Sequence, residues 1–369
     1  MKTHLIIDIR SLLPKNPPTG IPEYTKQLLN ALFLFCPDTL NKKNVRVSLF
    51  SSGKEMPDLS FLDPYARSFL HIHLATSNRF LNTRLALFSR PTLDFTPNAQ
   101  GNRTVFFAPN LNLFPLRPQT KLVTTFHDLS YERYPELLKP KERFWHSFID
   151  PRAIARRSDA LIAVSESTKQ DIIDRYAIAP EKIHVVYSGI SPEFKKQPTT
   201  DDRRPTTILY VGSLEGRKNI KTLVRAFQLL KRRIKNVRLL LAGQGKIAMK
   251  DKSILFLGPV SNEKRLELYQ NASLFVYPSL FEGFGFPPLE AIACGVPVIT
   301  SLTSSLPEAV GNAALMVNPH KARELADAME ALLTDEELRA RYIKKGFEQL
   351  KKFTWQKTAQ ETLDVLLKA

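Results

Sequence analysis

The sequence predicts two doubly wound α/β domains, and three observations carry that prediction. Short apolar runs of strand length alternate with amphipathic helical stretches, the pattern of a parallel sheet covered on both faces. The alternation runs twice, interrupted at residues 188–205 by SGISPEFKKQPTTDDRRP, a Pro-, Thr- and charge-rich stretch with little to bury. A length of 369 residues suits about two domains.

In the first half, His4–Ile9 reads as a short buried strand. Gly20 then opens an amphipathic helix with Tyr24, Leu28, Leu29, Leu32 and Phe33 at helical spacing. Strand-like runs follow at Val45–Phe50, Thr104–Ala108, Lys121–Phe126, Ala160–Val164 and Lys182–Val186, with helical patterns at Lys141–Arg157 and Glu166–Tyr176. In the second half, strands are expected at Thr207–Val211, Val237–Ala242, Ile254–Leu257, Leu274–Tyr277 and Val296–Thr300. Helices are expected at Ile220–Arg233, Asn262–Asn271 and Pro287–Cys294, and through most of the tail from Ala322. Ligands of such sheets bind beyond the carboxyl ends of the strands.

Composition excludes several classes. Hydrophobic residues are 43% and charged residues 24%, ordinary for a globular protein and unlike collagen, disordered chains or disulfide-rich secreted domains. The longest apolar runs, such as Ala31–Cys36, are far short of a membrane span. Asp8 and Arg10 interrupt the first apolar run too early for a signal peptide, which points to the cytoplasm. Cys36 and Cys294 lie in apolar helical stretches and are expected as buried free thiols. The net charge of +17 is unusual, and it is dispersed: residues 1–190 carry 25 cations against 17 anions, residues 191–369 carry 28 against 19. Such a surface favours anionic partners. Nucleic acid is not expected, since that reading predicts a concentrated basic stripe with interleaved aromatics.

Familiar motifs are absent. There is no G-x-S-x-G elbow, no H-E-x-x-H and no C-x-x-C. Gly212-Ser-Leu-Glu-Gly216-Arg-Lys-Asn is one residue short of a P-loop and lacks its Lys-Ser/Thr. No D-x-D occurs, which removes the usual metal-binding carboxylate pair.

Four constellations carry chemistry. In VGSLEGRKNI (211–220) a strand ends at Gly212 and Arg217-Lys218-Asn219 opens a helix. Helix N-termini attract anions, Arg offers a planar fork for phosphate and Lys a point charge. Two adjacent cations there oppose the helix dipole unless an anion sits between them. In Glu282-Gly-Phe-Gly-Phe-Pro-Pro-Leu-Glu290, Gly283 and Gly285 permit close backbone approach, Pro287 and Pro288 suit a first helical turn, and two carboxylates suit hydroxyl pairs. Phe126-His127-Asp128 ends a strand, so His127 either points toward the ligand side or fills a satisfied structural role. Pro18-Thr19-Gly20-Ile21 is a turn after the first strand, suited to an anion or hydroxyls or to no ligand at all.

In this order, TGI…Y (19–24), FHD (126–128), ALIAVSESTKQDI (160–172), YVGSLEGRKNI (210–220), LLLAG (239–243), FVYPSLFEGFGFPPLEAIACGVPVITS (275–301) and SLPEAVGNAALMVNP (305–319) resemble the retaining glycosyltransferases of the GT-B fold, family-four or group-one type. The matches span nearly the whole chain. The resemblance implies two Rossmann-like domains facing each other across a cleft: an acceptor-side domain at 1–190, a nucleotide-sugar donor domain at 191–352, and a last helix at 353–369 crossing back to the first. It implies that Arg217 and Lys218 hold the donor diphosphate in place of a metal. Glu282 would hold sugar hydroxyls near the reacting carbon, ringed by backbone N–H groups of Gly283, Phe284, Gly285 and Phe286. Glu290 would grip the ribose, and Gly258, Pro259 and Val260 would meet the base, with Gly212 in the same donor site. Gly20 would approach the diphosphate and His127 the sugar. Catalysis would rest on Glu282, His127, Arg217 and Lys218, with no metal and no cofactor.

The opening and FHD look most like bacterial mannosyltransferases of polysaccharide and lipopolysaccharide assembly. That makes GDP-mannose the first choice of donor, with UDP-, dTDP- and ADP-sugars (glucosyl, N-acetylglucosaminyl or rhamnosyl transfer) as alternatives. The acceptor implied is a lipid-linked oligosaccharide or polysaccharide. Residues 77–90 (SNRFLNTRLALFSR) read as a basic amphipathic helix able to lie on an anionic membrane, or as a core-packed surface helix. Pro22, Asn312 and Asn318 depart from the family pattern. A catalytically inactive sugar- or nucleotide-binding relative is the rival of a different class. It should have lost Glu282, Arg217 or Lys218, and all three are present.

Overall fold

The structure, a computed structural model, describes residues 2–13, 20–77, 80–82, 92–94, 103–138, 140–195, 206–245 and 251–369. The chain divides into two compact units. The first comprises Met1–Arg133, Leu138–Gly189 and Trp355–Ala369, the second Tyr134–Leu137 and Ile190–Thr354.

The first unit is built on seven parallel strands: β1 (Thr3–Asp8), β2 (Val45–Ser52), β3 (Phe69–Leu74), β4 (Arg103–Ala108), β5 (Lys121–Phe126), β6 (Ala160–Ala163) and β7 (Ile183–Val185), in the order β3-β2-β1-β4-β5-β6-β7. Its helices are α1 (Ile21–Phe35), α2 (Pro37–Lys42), α3 (Ser130–Arg133), α4 (Pro140–Ile149), α5 (Pro151–Arg157) and α6 (Glu166–Tyr176). Both faces of the sheet bury apolar side chains: Ile6, Phe50, Phe106, Leu122, Phe126 and Leu161 share one face, and Leu5, Ile7, Val105, Phe107 and Val123 the other. Each such side chain contributes about 1.5–3 kcal/mol by leaving water.

The second unit holds six parallel strands: β8 (Thr206–Val211), β9 (Val237–Ala242), β10 (Ile254–Gly258), β11 (Leu274–Tyr277), β12 (Val298–Ser301) and β13 (Leu315–Val317), in the order β10-β9-β8-β11-β12-β13. Its helices are α7 (Ile220–Leu230), α8 (Asn262–Gln270), α9 (Phe286–Ala293), α10 (Leu306–Val310), α11 (Ala322–Thr334) and α12 (Glu336–Leu350). Helix α7 buries Leu223, Val224, Phe227 and Leu230, the stripe expected at a 3.6-residue period. The last helix, α13 (Trp355–Lys368), packs on α1, and Arg103 Nη1 donates to the Leu367 carbonyl at 2.6 Å. Strand order reverses between β1 and β4 and again between β8 and β11, and the crevice beyond the strand ends at such a reversal is where ligands bind.

Three expectations need correction. The helix expected over 141–157 is two helices. Asp150 adopts a left-handed conformation (φ 45°) and its carboxylate accepts the Ala153 N–H at 3.0 Å, while Pro151 has no N–H to continue the first helix. Strand β3 was not anticipated, although Leu70, Ile72 and Leu74 alternate with His71 and His73; it is an edge strand partly exposed on both faces. The strand expected from Val296 begins at Val298. Cys36 and Cys294 are free and buried, as expected. Most of the 77–90 segment, residues 196–205 of the expected linker, and Pro18 and Thr19 lie outside the described residues. Among the described residues no helix is long and apolar enough to cross a membrane.

Candidate active site

In the second unit the loops leaving β8 and β11 meet at the strand-order reversal. β8 ends at Val211, and the N–H of Gly212 that follows donates to the Ala242 carbonyl at 2.9 Å. The chain then forms a single 3-10 turn over Gly216–Lys218, Asn219 turns left-handed (φ 58°, ψ 37°), and α7 starts at Ile220. Arg217 and Lys218 therefore precede the helix rather than open it, a correction to the sequence reading. One backbone bond and two side-chain bonds fix this turn: Leu280 N donates to the Arg217 carbonyl at 2.8 Å, and Asn219 Nδ2 donates to the carbonyls of Pro278 (3.1 Å) and Pro319 (2.7 Å).

Those bonds bring both cations onto one carboxylate. Lys218 Nζ lies 2.6 Å from Glu282 Oε1 and donates to the Tyr277 hydroxyl at 2.9 Å. Arg217 Nη1 reaches Glu282 Oε2 at 3.3 Å and the Phe281 carbonyl at 3.2 Å, while its Nε reaches Glu215 at 3.3 Å. Ser279 Oγ donates to Glu282 Oε1 at 2.6 Å, and Glu282 N donates to Ser304 Oγ at 2.8 Å. The anion that two adjacent cations called for is thus supplied by the protein itself. Lys218 and Glu282 are both buried. Burial pulls the Lys218 ammonium below its ordinary value against the attraction of Glu282. Burial pushes the Glu282 carboxyl up, but Lys218, Arg217 and the bonds from Lys218 and Ser279 together outweigh it and leave the carboxyl below its ordinary 4.5.

A pH dependence follows. Between the lowered folded value and 4.5 only the unfolded chain binds the proton, so the stability that Glu282 contributes is present above that window and is lost as pH falls through it. Urea midpoints measured through that window should fall more steeply for the wild type than for Glu282→Gln; equal slopes would refute the assignment.

The other predicted residues of this unit fall nearby in the chain but have their own partners. Gly285 caps α9, with Pro287 and Pro288 in its first turn, and Ser305 Oγ lies 2.9 Å from the Glu282 and Phe284 carbonyls. Phe284 and Phe286 pack edge to face at 5.1 Å, and Gly283 is buried between Glu282 and Phe284. Glu290 is buried on α9, where Tyr269 donates to its Oε2 at 2.8 Å and Arg265 stands 3.7 Å from Oε1. Gly258 ends β10 and its carbonyl accepts the Gly243 N–H at 2.8 Å; Val260 follows, half-buried. Tyr269, Tyr277, Arg265, Ser279, Ser304 and Asn219 were missed by sequence reasoning. Only Asn219, adjacent to the cation pair, carried a usable signal.

In the first unit His127 follows β5, and its Nε2 lies 2.8 Å from the Pro109 carbonyl beyond β4. A carbonyl only accepts, so Nε2 carries the proton and Nδ1 is the ring's acceptor. Burial keeps this imidazole below its ordinary pKa, against the Pro109 bond and Asp128, so it is neutral at pH 7. Its ring meets Tyr24 of α1 edge-on at 4.8 Å. Gly20 precedes α1, and its carbonyl accepts the Tyr24 N–H at 2.9 Å.

Two doubly wound parallel units, with paired cations and a carboxylate at one strand-order reversal, define the GT-B class of α/β protein. Residues 191–349 match the family model of glycosyl transferases group 1, and residues 98–194 that of glycosyltransferase family 4. The chain is 30% identical to O-antigen chain mannosyltransferase B of Escherichia coli, over 70% of this chain and 73% of that one. It is 29% identical to the serotype-specific mannosyltransferase WbdA of Escherichia coli over 66% of this chain, but spans only 33% of that relative's length. The crystal structure of HepE from Anabaena in complex with UDP and glucose superposes with a TM-score of 0.68 at 16% identity, over the whole of both chains. The chain belongs to the group 1, family 4 glycosyltransferases.

Proposed function

We propose that this protein moves a hexose from a nucleotide diphosphate sugar to a hydroxyl of a lipid-linked oligosaccharide or polysaccharide, with retention and without a metal. Mannose from GDP-mannose is the first choice, supported by the two mannosyltransferase relatives. The observation that carries the chemistry is the Arg217–Glu282–Lys218 cluster. Departure of the diphosphate builds negative charge while the anomeric carbon becomes oxocarbenium-like. Cations fixed beforehand by Asn219, Tyr277 and the Leu280 N–H need no reorganisation to meet that charge. A carboxylate has about four lone-pair sites. Lys218 and Ser279 occupy Oε1 and Arg217 one side of Oε2, which leaves Oε2 a site for a sugar hydroxyl. A carboxylate so engaged is a poor nucleophile, which favours front-face attack by the acceptor with the departing phosphate oxygen taking its proton. Glu290 would grip the ribose, Gly258 and Val260 the base, and Gly20 and neutral His127 the donor from the first unit's residues.

A thermal-shift screen of GDP-, UDP-, dTDP- and ADP-sugars with EDTA present tests this reading. GDP-mannose at about a hundred times its Kd should add about 2.7 kcal/mol of stability. Stabilisation by a different donor corrects the base or sugar. No response to any nucleotide sugar from folded protein would overturn the donor site.

A further inference from the structure

Helix α4 presents an apolar surface that the described residues leave uncovered. Phe144 is 71% exposed and Phe148 37%, and their rings stack at 5.9 Å one helical turn apart. Lys141, Phe144 and Phe148 stand at i, i+3 and i+7 and share one exposed face with Ser147. The opposite face is anchored: Ile149 is buried, and His146 stacks on Tyr131 at 4.2 Å. The aromatic pair therefore projects from a helix held against the unit and is not a fraying end. Arg143 beside it, and Arg152 and Arg156 on α5, are exposed as well. Residues 140–157 carry five cations and two acids.

We infer that this face docks on an anionic lipid bilayer, Phe144 and Phe148 entering the interface while Lys141, Arg143 and Arg156 meet lipid phosphates. Apolar rings framed by cations are complementary to acyl chains below a layer of negative headgroups. A second copy of this chain would bring the same cations face to face, which disfavours self-association. The inference rests on the proposed lipid-linked acceptor, since it would hold the enzyme at the surface where such an acceptor resides.

The test is co-sedimentation of the full chain with phosphatidylcholine vesicles, with and without about 30% phosphatidylglycerol. Wild type should bind the anionic vesicles and lose them as salt rises. Phe144→Ser with Phe148→Ser should weaken binding about tenfold or more, and Lys141→Glu with Arg143→Glu by at least about fivefold per residue. Both pairs are exposed, so the variants should melt like wild type. The assay uses no donor: Arg217→Ala should sediment as wild type does, so a failed donor screen with intact vesicle binding overturns only the proposed chemistry. Absence of wild-type binding, unchanged binding after the Phe substitutions, or a vesicle-free dimer that those substitutions dissolve would overturn the docking surface.

Discussion

Replacing Arg217 with alanine is expected to lower turnover by about a hundredfold or more, near 3 kcal/mol of barrier. Replacing Glu282 should cost at least as much activity, but the two variants differ in what else they break. Glu282→Ala strands Lys218, a buried ammonium whose remaining bonding partner is Tyr277, and uncompensated buried charge costs about 3–5 kcal/mol of stability. Arg217 is only partly buried, and its loss leaves the Lys218–Glu282 pair intact. Arg217→Ala therefore isolates chemistry from folding. The check is steady-state turnover beside a melting curve; wild-type turnover in a folded Arg217→Ala protein would sink the proposed diphosphate contact.

Gly243→Ala is expected to destabilise the second unit by about 3 kcal/mol, the upper end for overpacking. A Cβ there would stand 2.0 Å from the Gly212 carbonyl oxygen and 2.6 Å from its carbon, at a φ of +141°. No side chain can swing away, because the obstacle is backbone. Nor can that backbone retreat freely, since Gly212 N bonds Ala242, Leu214 N bonds Gln244 and Gly243 N bonds Gly258. The β8 and β9 ends must part, and the turn that carries Arg217 moves with them. Gly258→Ala is the control: it has positive φ but open space around a Cβ, so only the left-handed strain of about 1–2 kcal/mol applies. Urea midpoints compare the two, and equal losses would show that conformational strain, not the close approach, governs Gly243.

Most elements were legible because their apolar spacing is regular. Strands β5, β9 and β11 and helix α6 fall where the pattern puts them, since each is buried on faces that only strand or helix periodicity can supply. The misses have local causes. Asp150 and Pro151 split a continuous amphipathic stretch through one left-handed residue and one missing N–H, and β3 was missed because His71 and His73 dilute a half-exposed edge run in which Leu70, Ile72 and Leu74 do alternate.

By itself the sequence determined the two α/β halves, the family, and which residue types stand at the β8 and β11 exits. Only the tertiary structure decided what those residues do to one another. Glu282 lies 64 residues from Lys218 in the chain, and β8 and β11 become neighbours only because the sheet reverses its order between them. The same folding set Glu290 against Tyr269 and Arg265, and Nε2 of His127 against Pro109. Local propensity fixes a residue's own backbone; which carboxylate it will neutralise is set by strand adjacency and burial, and neither is a property of a short stretch of sequence.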